Sequence, residues 1–209
     1  MTMKVDLHIH TDASQCSTAS PASIVEAALS VGLDGIAITD HDTMVNVEAV
    51  EDLAPPALEV IAGVEVSTPA GHLLALGVEA CPSEETVEAI ITDIHDQGGL
   101  VIGAHPFDRF RRNGRETMTK YLAQCDAVEG VNSRCLLARD NYRARITAKQ
   151  HGLPITGGSD AHFPFEIGRA YTVTEGPVLE AIREGTSTAV GHGRYLTGHA
   201  ATKLLAWSW

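Results

Sequence analysis

The sequence predicts an α/β fold, a (β/α) barrel built as a single domain. Three observations predict it. Short apolar strands alternate with helix-like segments, the pattern of a sheet of parallel strands covered on both faces. About seven or eight such units follow one another in 209 residues, with no internal repeat, low-complexity stretch or interdomain linker. No glycine-rich nucleotide loop follows any strand, which argues against a dinucleotide-binding sheet.

Taken in order, "KVDLHI" reads as the first strand. "SPASIVEAALSVG" reads as a helix with Ser20 as N-cap, Pro21 in the first turn and Gly32 as the stop. "GIAITD" is a continuous apolar run and therefore a buried strand. "VNVEAVEDLA" predicts a helix, and "LEVIAGVEVS" and "GHLLALGV" predict two strands. "SEETVEAIITDIHDQGG" predicts the clearest helix, with Ser83 opening a capping box and Gly98 closing it. "LVIGAH", "AVEGVN", "LPITGGSD" and "AYTVTE" are further strands. Helical stretches are expected over Thr117–Cys125, Leu136–His151 and Val178–Glu184, and the tail "HAATKLLAWSW" predicts a final helix.

Composition narrows the class. Hydrophobic residues make up 44%, enough for a globular core. No run approaches the ~20 apolar residues that span a bilayer, so no membrane partner is expected. "MTMKVDL" leads directly into the first motif, with no room for a signal peptide. Cys16, Cys81, Cys125 and Cys135 form no C-x-x-C pair and no disulfide framework, which suits a reducing cytoplasm. The net charge of -12 is unevenly spread: residues 1–108 hold one basic and 18 acidic residues, residues 109–209 hold 14 basic and 9 acidic. Arg109, Arg111, Arg112 and Arg115 fall within "RFRRNGR", a cluster suited to an anion.

The chemistry gathers at strand ends. Asp6, His8 and His10 alternate along the first strand, and alternate residues share a face. Asp40, His41 and Asp42 end the second strand, Glu65 lies near the end of the third and His72 begins the fourth. His105, then Glu129 and Asn132, then Asp160 and His162 end later strands. C-terminal strand ends of a parallel barrel converge on one site. Six imidazoles and at least two carboxylates meeting there are costly to bury unless metal ions hold them. Imidazole with carboxylate suits zinc, manganese or iron rather than calcium or magnesium alone.

"DLHIHT", "ITDHD", "GVEVS…H", "GAHP" and "GSDAH", in this order, resemble the motifs of the PHP (polymerase and histidinol phosphatase) family from about Val5 to Thr174. The resemblance implies a distorted (β/α)7 TIM-like barrel spanning residues 1–209. Its metal motifs would lie within 6–162, with a C-terminal strand and helices over 170–209. It implies two or three divalent transition-metal ions (Mn, Fe or Zn) and phosphoester hydrolysis. His8 and His10 would bind the first metal with Glu65 and Asp160. Glu65 would bridge to a second, completed by His72 and His105. His41 and His162 would hold a third. The family supplies one more ligand shortly after the H-x-H; here Gln15 and Cys16 stand in that region, and a Cys16 thiolate is chemically suited to the place. Asp6 and Asp40 would orient imidazoles.

A metal-activated water would attack phosphorus, with Glu65, Asp160, His41 and Arg134 as candidate catalytic residues. Arg109, Arg111, Arg112 and Asn132 are the candidate substrate-binding residues, at the rim of the pocket. The expected substrate is a small phosphate ester, a nucleotide or a sugar or metabolite phosphate. Long nucleic acid is disfavoured because the first half of the chain is nearly devoid of positive charge and aromatics make up only 5%. The alternatives are an exonuclease trimming oligonucleotides with the same site and, further off, an amidohydrolase-type hydrolase. Those hydrolases often bridge their metals with a carbamylated lysine, yet Lys4 is the only lysine before Lys120.

Overall fold

A computed structural model describes residues 1–110 and 118–193. It contains nine strands: β1 (Thr2–Ile9), β2 (Gly35–Ile38), β3 (Glu59–Thr68), β4 (Gly71–Leu76), β5 (Leu100–Gly103), β6 (Ala127–Asn132), β7 (Ile155–Gly158), β8 (Ala170–Glu175) and β9 (Thr188–Gly191). The helices are α1 (Pro21–Ser30), α2 (Val47–Leu53), α3 (Val87–Asp96), α4 (Ala138–His151) and α5 (Val178–Arg183). The strands form one sheet in the order β7-β6-β5-β4-β3-β2-β1-β8-β9. β7 then closes the sheet into a barrel. Its Gly157 N–H donates to Thr172 Oγ1 on β8 at 2.9 Å, and just beyond it Ala161 exchanges backbone hydrogen bonds with β1: its N–H reaches His8 O at 3.2 Å, and His10 N–H reaches Ala161 O at 2.9 Å.

The sheet is mixed rather than wholly parallel. β1–β2–β3 and β5–β6–β7 are parallel runs, while β4 is antiparallel to both its neighbours and β8 to β1 and β9. Loop length decides this. Only Pro69 and Ala70 separate the paired residues Thr68 and Gly71. Two residues can close a hairpin but cannot make a parallel crossover.

Helix ends follow local chemistry. Ser20 caps α1 by accepting from Ser23 N–H at 3.4 Å, and Pro21 opens it. α3 begins at Val87, with Thr86 rather than Ser83 as its cap, accepting from Ala89 N–H at 3.2 Å. The first buried residue of its apolar stripe, Val87, Ile90, Ile91 and Ile94, directly follows Thr86, so the cap belongs there. α4 starts at Ala138, two residues later than expected, and ends at Gly152, whose φ of 69° is left-handed. Of the expected helix over Thr117–Cys125, the described part holds a 3-10 turn at Leu122–Gln124. β9 was not anticipated, because "TAVG" is too short a run to read as a strand. The expected C-terminal helix lies outside the described residues.

Two apolar layers pack α1 and α2, and α3 and α4, against the outside of the sheet. A third cluster fills the barrel with Val5, Leu7, Ala37, Ile61, Leu74, Leu76, Leu100 and Ile102. Val178 and Ile182 of α5 join it and seal one end. The other end receives the polar residues. Among the described residues no helix is long and apolar enough to cross a membrane.

Candidate metal centre

β1 carries an irregularity where it matters. Between Asp6 and Ile9 the register slips, so that these residues face Ile36 and Ile38 of β2. The extra residue is a bulge, and a bulge switches which face later side chains occupy. Leu7 accordingly belongs to the barrel interior, whereas Ile9 packs with α1 and α2. The simple alternation that put Asp6 on one face with His8 and His10 is thereby corrected. Asp6 touches neither ring. Its carboxylate accepts backbone N–H groups of His8 (3.3 Å), Ser159 (2.8 Å) and Gly168 (2.9 Å), and burial pushes its pKa up to about 6.

The other ligand candidates arrive by three devices. The β3–β4 hairpin pairs His72 with Ser67, which brings the start of β4 to the same end of the barrel as the end of β3. His41 forms a parallel bridge to Glu65. His105 and Asp160 each stand two residues past a parallel strand and hold positive φ, 27° and 58°. That conformation costs non-glycine residues about 1–3 kcal/mol and clusters at functional sites.

Glu65 is the hub. It is fully buried, and its Oε2 lies 3.3 Å from His8 Nε2, 3.2 Å from His10 Nε2 and 3.2 Å from His41 Nδ1. Its Oε1 lies 2.8 Å from His72 Nδ1 and 2.9 Å from His105 Nε2. Asp160 Oδ1 approaches His8 and His10 Nε2 at 3.6 and 3.4 Å and His162 Nδ1 at 3.6 Å. His162 Nδ1 also donates to the Asp160 carbonyl at 2.9 Å, which leaves Nε2 as its remaining ring donor atom. Among the described residues, donor atoms come within 4.8 Å of one another in four groups: His8–His10–Glu65, His8–His105–Asp160, His41–Glu65–His72 and His10–His41–His162.

These groups suit transition metals. His8 Nε2, His10 Nε2 and Glu65 Oε2 are buried with no hydrogen-bond partner among the described residues, although buried polar atoms are almost always satisfied. Tetrahedral ligands at 2.0–2.1 Å from an ion stand about 3.3 Å apart, close to the spacings around Glu65 Oε2.

The charges are strongly coupled. Burial opposes protonation of His8, but Asp160, Glu129 and Glu65 together hold its pKa well above the usual imidazole value. His10 is raised likewise: burial opposes it, and Asp160 and Glu65 prevail. Burial pushes Glu65 up, yet the surrounding His72, His8 and His41 hold it well below the usual carboxylate value. Burial lowers His41 to about 4, and burial with the charge on His10 sends His162 well below its ordinary value, so both are neutral imidazoles near pH 7.

Supporting contacts fix the rings. Asp40 accepts from Thr11 N–H (2.8 Å), the Thr11 hydroxyl (2.6 Å) and the Ser14 hydroxyl (2.5 Å). Ser14 Oγ in turn meets His10 Nδ1 at 3.4 Å and accepts His41 N–H at 3.1 Å. Asp40 thus acts on the imidazoles through Ser14. Glu129, noted in the sequence without a role, accepts from His8 Nδ1 at 2.9 Å. One signal pointed to it: an acid inside the apolar run "AVEGV" of a buried strand needs a partner.

The remaining candidates are placed as follows. Asn132 is buried, and its Nδ2 donates to Glu129 Oε2 and Asp160 Oδ2, both at 3.0 Å. Cys16 is half-buried and belongs to none of the four groups; burial and the charges of Asp160 and Glu65 push its thiol up to about 12. Arg134 has a side chain only 3% exposed, 3.8 Å from Glu166 Oε2, and its charge adds to the lowering of His162 and works against the rise of Cys16. Glu166 accepts the N–H groups of His162 and Phe163 at 2.8 and 3.1 Å. Arg109 Nε lies 3.6 Å from the buried Asp140. Arg111 and Arg112 lie outside the described residues.

Comparisons with known proteins place the chain in a family. The PHP domain model matches residues 6–150, and a model for a PHP-associated segment matches residues 138–187. An uncharacterized protein of Methanocaldococcus jannaschii is 30% identical over 175 residues, covering 81% of this chain and 69% of that one. A 69-residue stretch is 41% identical to a 5'-3' exoribonuclease of Haemophilus influenzae, covering 32% of this chain and 25% of that enzyme. Among solved structures, a two-domain protein of Bacteroides vulgatus, described as containing a PHP-like metal-dependent phosphoesterase, superposes with a TM-score of 0.78 at 19% identity. That match covers 92% of this chain and 65% of the other, and it concerns the fold.

Proposed function

The chain belongs to the PHP domain family, and from that premise we propose that it is a metal-dependent phosphoesterase acting on a small phosphate ester. The observation that carries the reading is the set of buried His8 Nε2, His10 Nε2 and Glu65 Oε2 atoms, unsatisfied and turned toward one another beside Asp160. By their distances, His8, His10, Glu65 and Asp160 would hold one ion, Glu65, His72 and His105 a second, and His10, His41 and His162 line a third position. Bound there, divalent manganese, iron or zinc would activate water and offset charge on phosphate oxygens.

The protein supplies the rest. Glu65 offers one oxygen to each side of the cluster and holds the two halves in register. His41, with a side chain 30% exposed, is the imidazole most open to an incoming ester. Arg134 contributes a positive charge near His162. Phe163 and Phe165 stack at 5.2 Å directly after His162, and Phe165 is half-exposed; this ring pair favours a nucleotide among the small esters. The likeness to the Haemophilus enzyme favours one second reading, trimming of oligonucleotides from an end.

Elemental analysis and a phosphatase screen test the reading together. Protein grown with supplemented metals is expected to carry at least two ions per chain, and His8→Ala and Asp160→Ala to lose metal and activity together. Less than one ion per chain, not restored by manganese, iron or zinc, refutes it. In the same series Cys16→Ser reports whether the thiol completes the third position, by the loss of about one ion or by an unchanged count. Mononucleotides, bisphosphates, sugar phosphates and short oligonucleotides form the screen.

A further inference from the structure

We propose that Glu129 is the positioning residue that couples the two halves of the metal centre. One carboxylate serves three ligand positions. Its Oε1 accepts from His8 Nδ1 at 2.9 Å, which fixes the tautomer and points Nε2 at Glu65 and Asp160. Its Oε2 accepts the backbone N–H of His105 at 2.8 Å, where the chain holds the unfavourable φ of 27°. The same Oε2 accepts from Asn132 Nδ2 at 3.0 Å, and that amide also donates to Asp160 Oδ2 at 3.0 Å. Glu129 therefore binds a ring of the first metal position, the backbone of a ligand of the second and, through Asn132, the carboxylate that completes the first.

The surroundings are shaped for this contact. A Cβ on Gly158 would fall 2.5 Å from His8 Cβ and 2.9 Å from Glu129 Oε1, so glycine is required for His8 and Glu129 to meet. Asn141 holds Asn132 from behind, its amide donating to Asn132 O at 3.0 Å and its Oδ1 accepting Asn132 N–H at 3.2 Å. Glu129 and Asn132 are themselves buried, so water cannot substitute for either.

Partners that orient a metal-bound imidazole typically contribute 10–100-fold in metal affinity. A carboxylate confined to His8 would affect one binding step; one shared as here affects both.

The inference rests on the metal reading above, so its test uses cobalt(II) alone, without substrate. Titration of the metal-free protein, followed by cobalt absorption and by chelator competition, is expected to show two or more binding steps. Glu129→Gln keeps size and one acceptor but turns an NH2 group toward a donor. It is expected to weaken the first two steps by about 10–100-fold each and to shift the cobalt bands. Asn132→Ala removes the amide that links Glu129 to Asp160, and with it the Oδ1 that accepts Arg134 N–H at 2.9 Å, while Glu129 keeps His8 and His105; it is expected to weaken the step that uses His8, His10 and Asp160. Thr86→Ala, which removes the N-cap of α3 on the outside of the barrel, is the control, expected to lower thermal stability without moving affinity or spectrum. Wild-type affinity and bands in Glu129→Gln, or a change confined to one step, overturn the proposal. Should Glu129→Gln fail to fold, unchanged affinity in Asn132→Ala overturns it instead. Absence of cobalt binding by the wild type refutes the metal reading itself.

Discussion

The protons on this cluster and the metals it suits compete for the same atoms. In the metal-free protein His8 is held well above its ordinary pKa, so its stabilising charge is fully present below about 6.5 and is lost as pH rises through the folded value. Glu65 is held well below its ordinary value, so its contribution is present above about 4.5 and lost as pH falls through the folded value. A metal at His8 Nε2 must displace the proton that the neighbouring carboxylates stabilise. Affinity should therefore climb as pH rises from about 6.5 toward the folded value, with protons released on binding. Calorimetry in two buffers of different ionisation heat measures that release. Binding at pH 7 with no proton release would show that His8 is already neutral.

At the scale of elements, strands and helices were largely legible, because apolar runs and caps are local signals. Three features were not. The β1 bulge is invisible in "VDLHIHT", since a register slip depends on what β2 offers opposite. The reversal of β4 was written in a loop of two residues but hidden by the expectation of uniform crossovers. Glu129 lacked a role because its partners His8 and His105 lie far away in the chain. The ligand residues themselves were legible because they sit in compact motifs at strand ends, whereas what the arginines touch depends on tertiary placement. The cap of α3 gives a direct measurement. Thr86→Ala is expected to cost about 1 kcal/mol in denaturant unfolding, as loss of an N-cap does. Ser83→Ala should stay within about 0.5 kcal/mol, as surface changes do. The reverse order would return the cap to Ser83.

For the whole molecule, charge is distributed by sequence half. Residues 1–108 supply β1 to β5 and most ligands with a single basic residue, Lys4. A polymer of phosphates gains affinity by releasing counterions along a basic track, and this half offers none. A mononucleotide or sugar phosphate needs only the centre itself and one or two arginines. Turnover of such an ester should exceed that of a single strand of about 20 nucleotides at matched concentration and moderate salt. A clear preference for the strand would mean that its path avoids the acidic half.

The antiparallel pairing of β1 with β8 has a practical consequence. It holds Met1 beside Gly176, whose N–H donates to Met1 O at 3.2 Å. His8 lies seven residues up the strand, about 23 Å away at the rise of an extended chain. A tether attached at Met1 therefore leaves from the sealed floor of the barrel. Protein anchored to a sensor surface or bead through that point presents its mouth to the solution, and a short amino-terminal affinity tag stays out of reach of the ligands it would otherwise imitate.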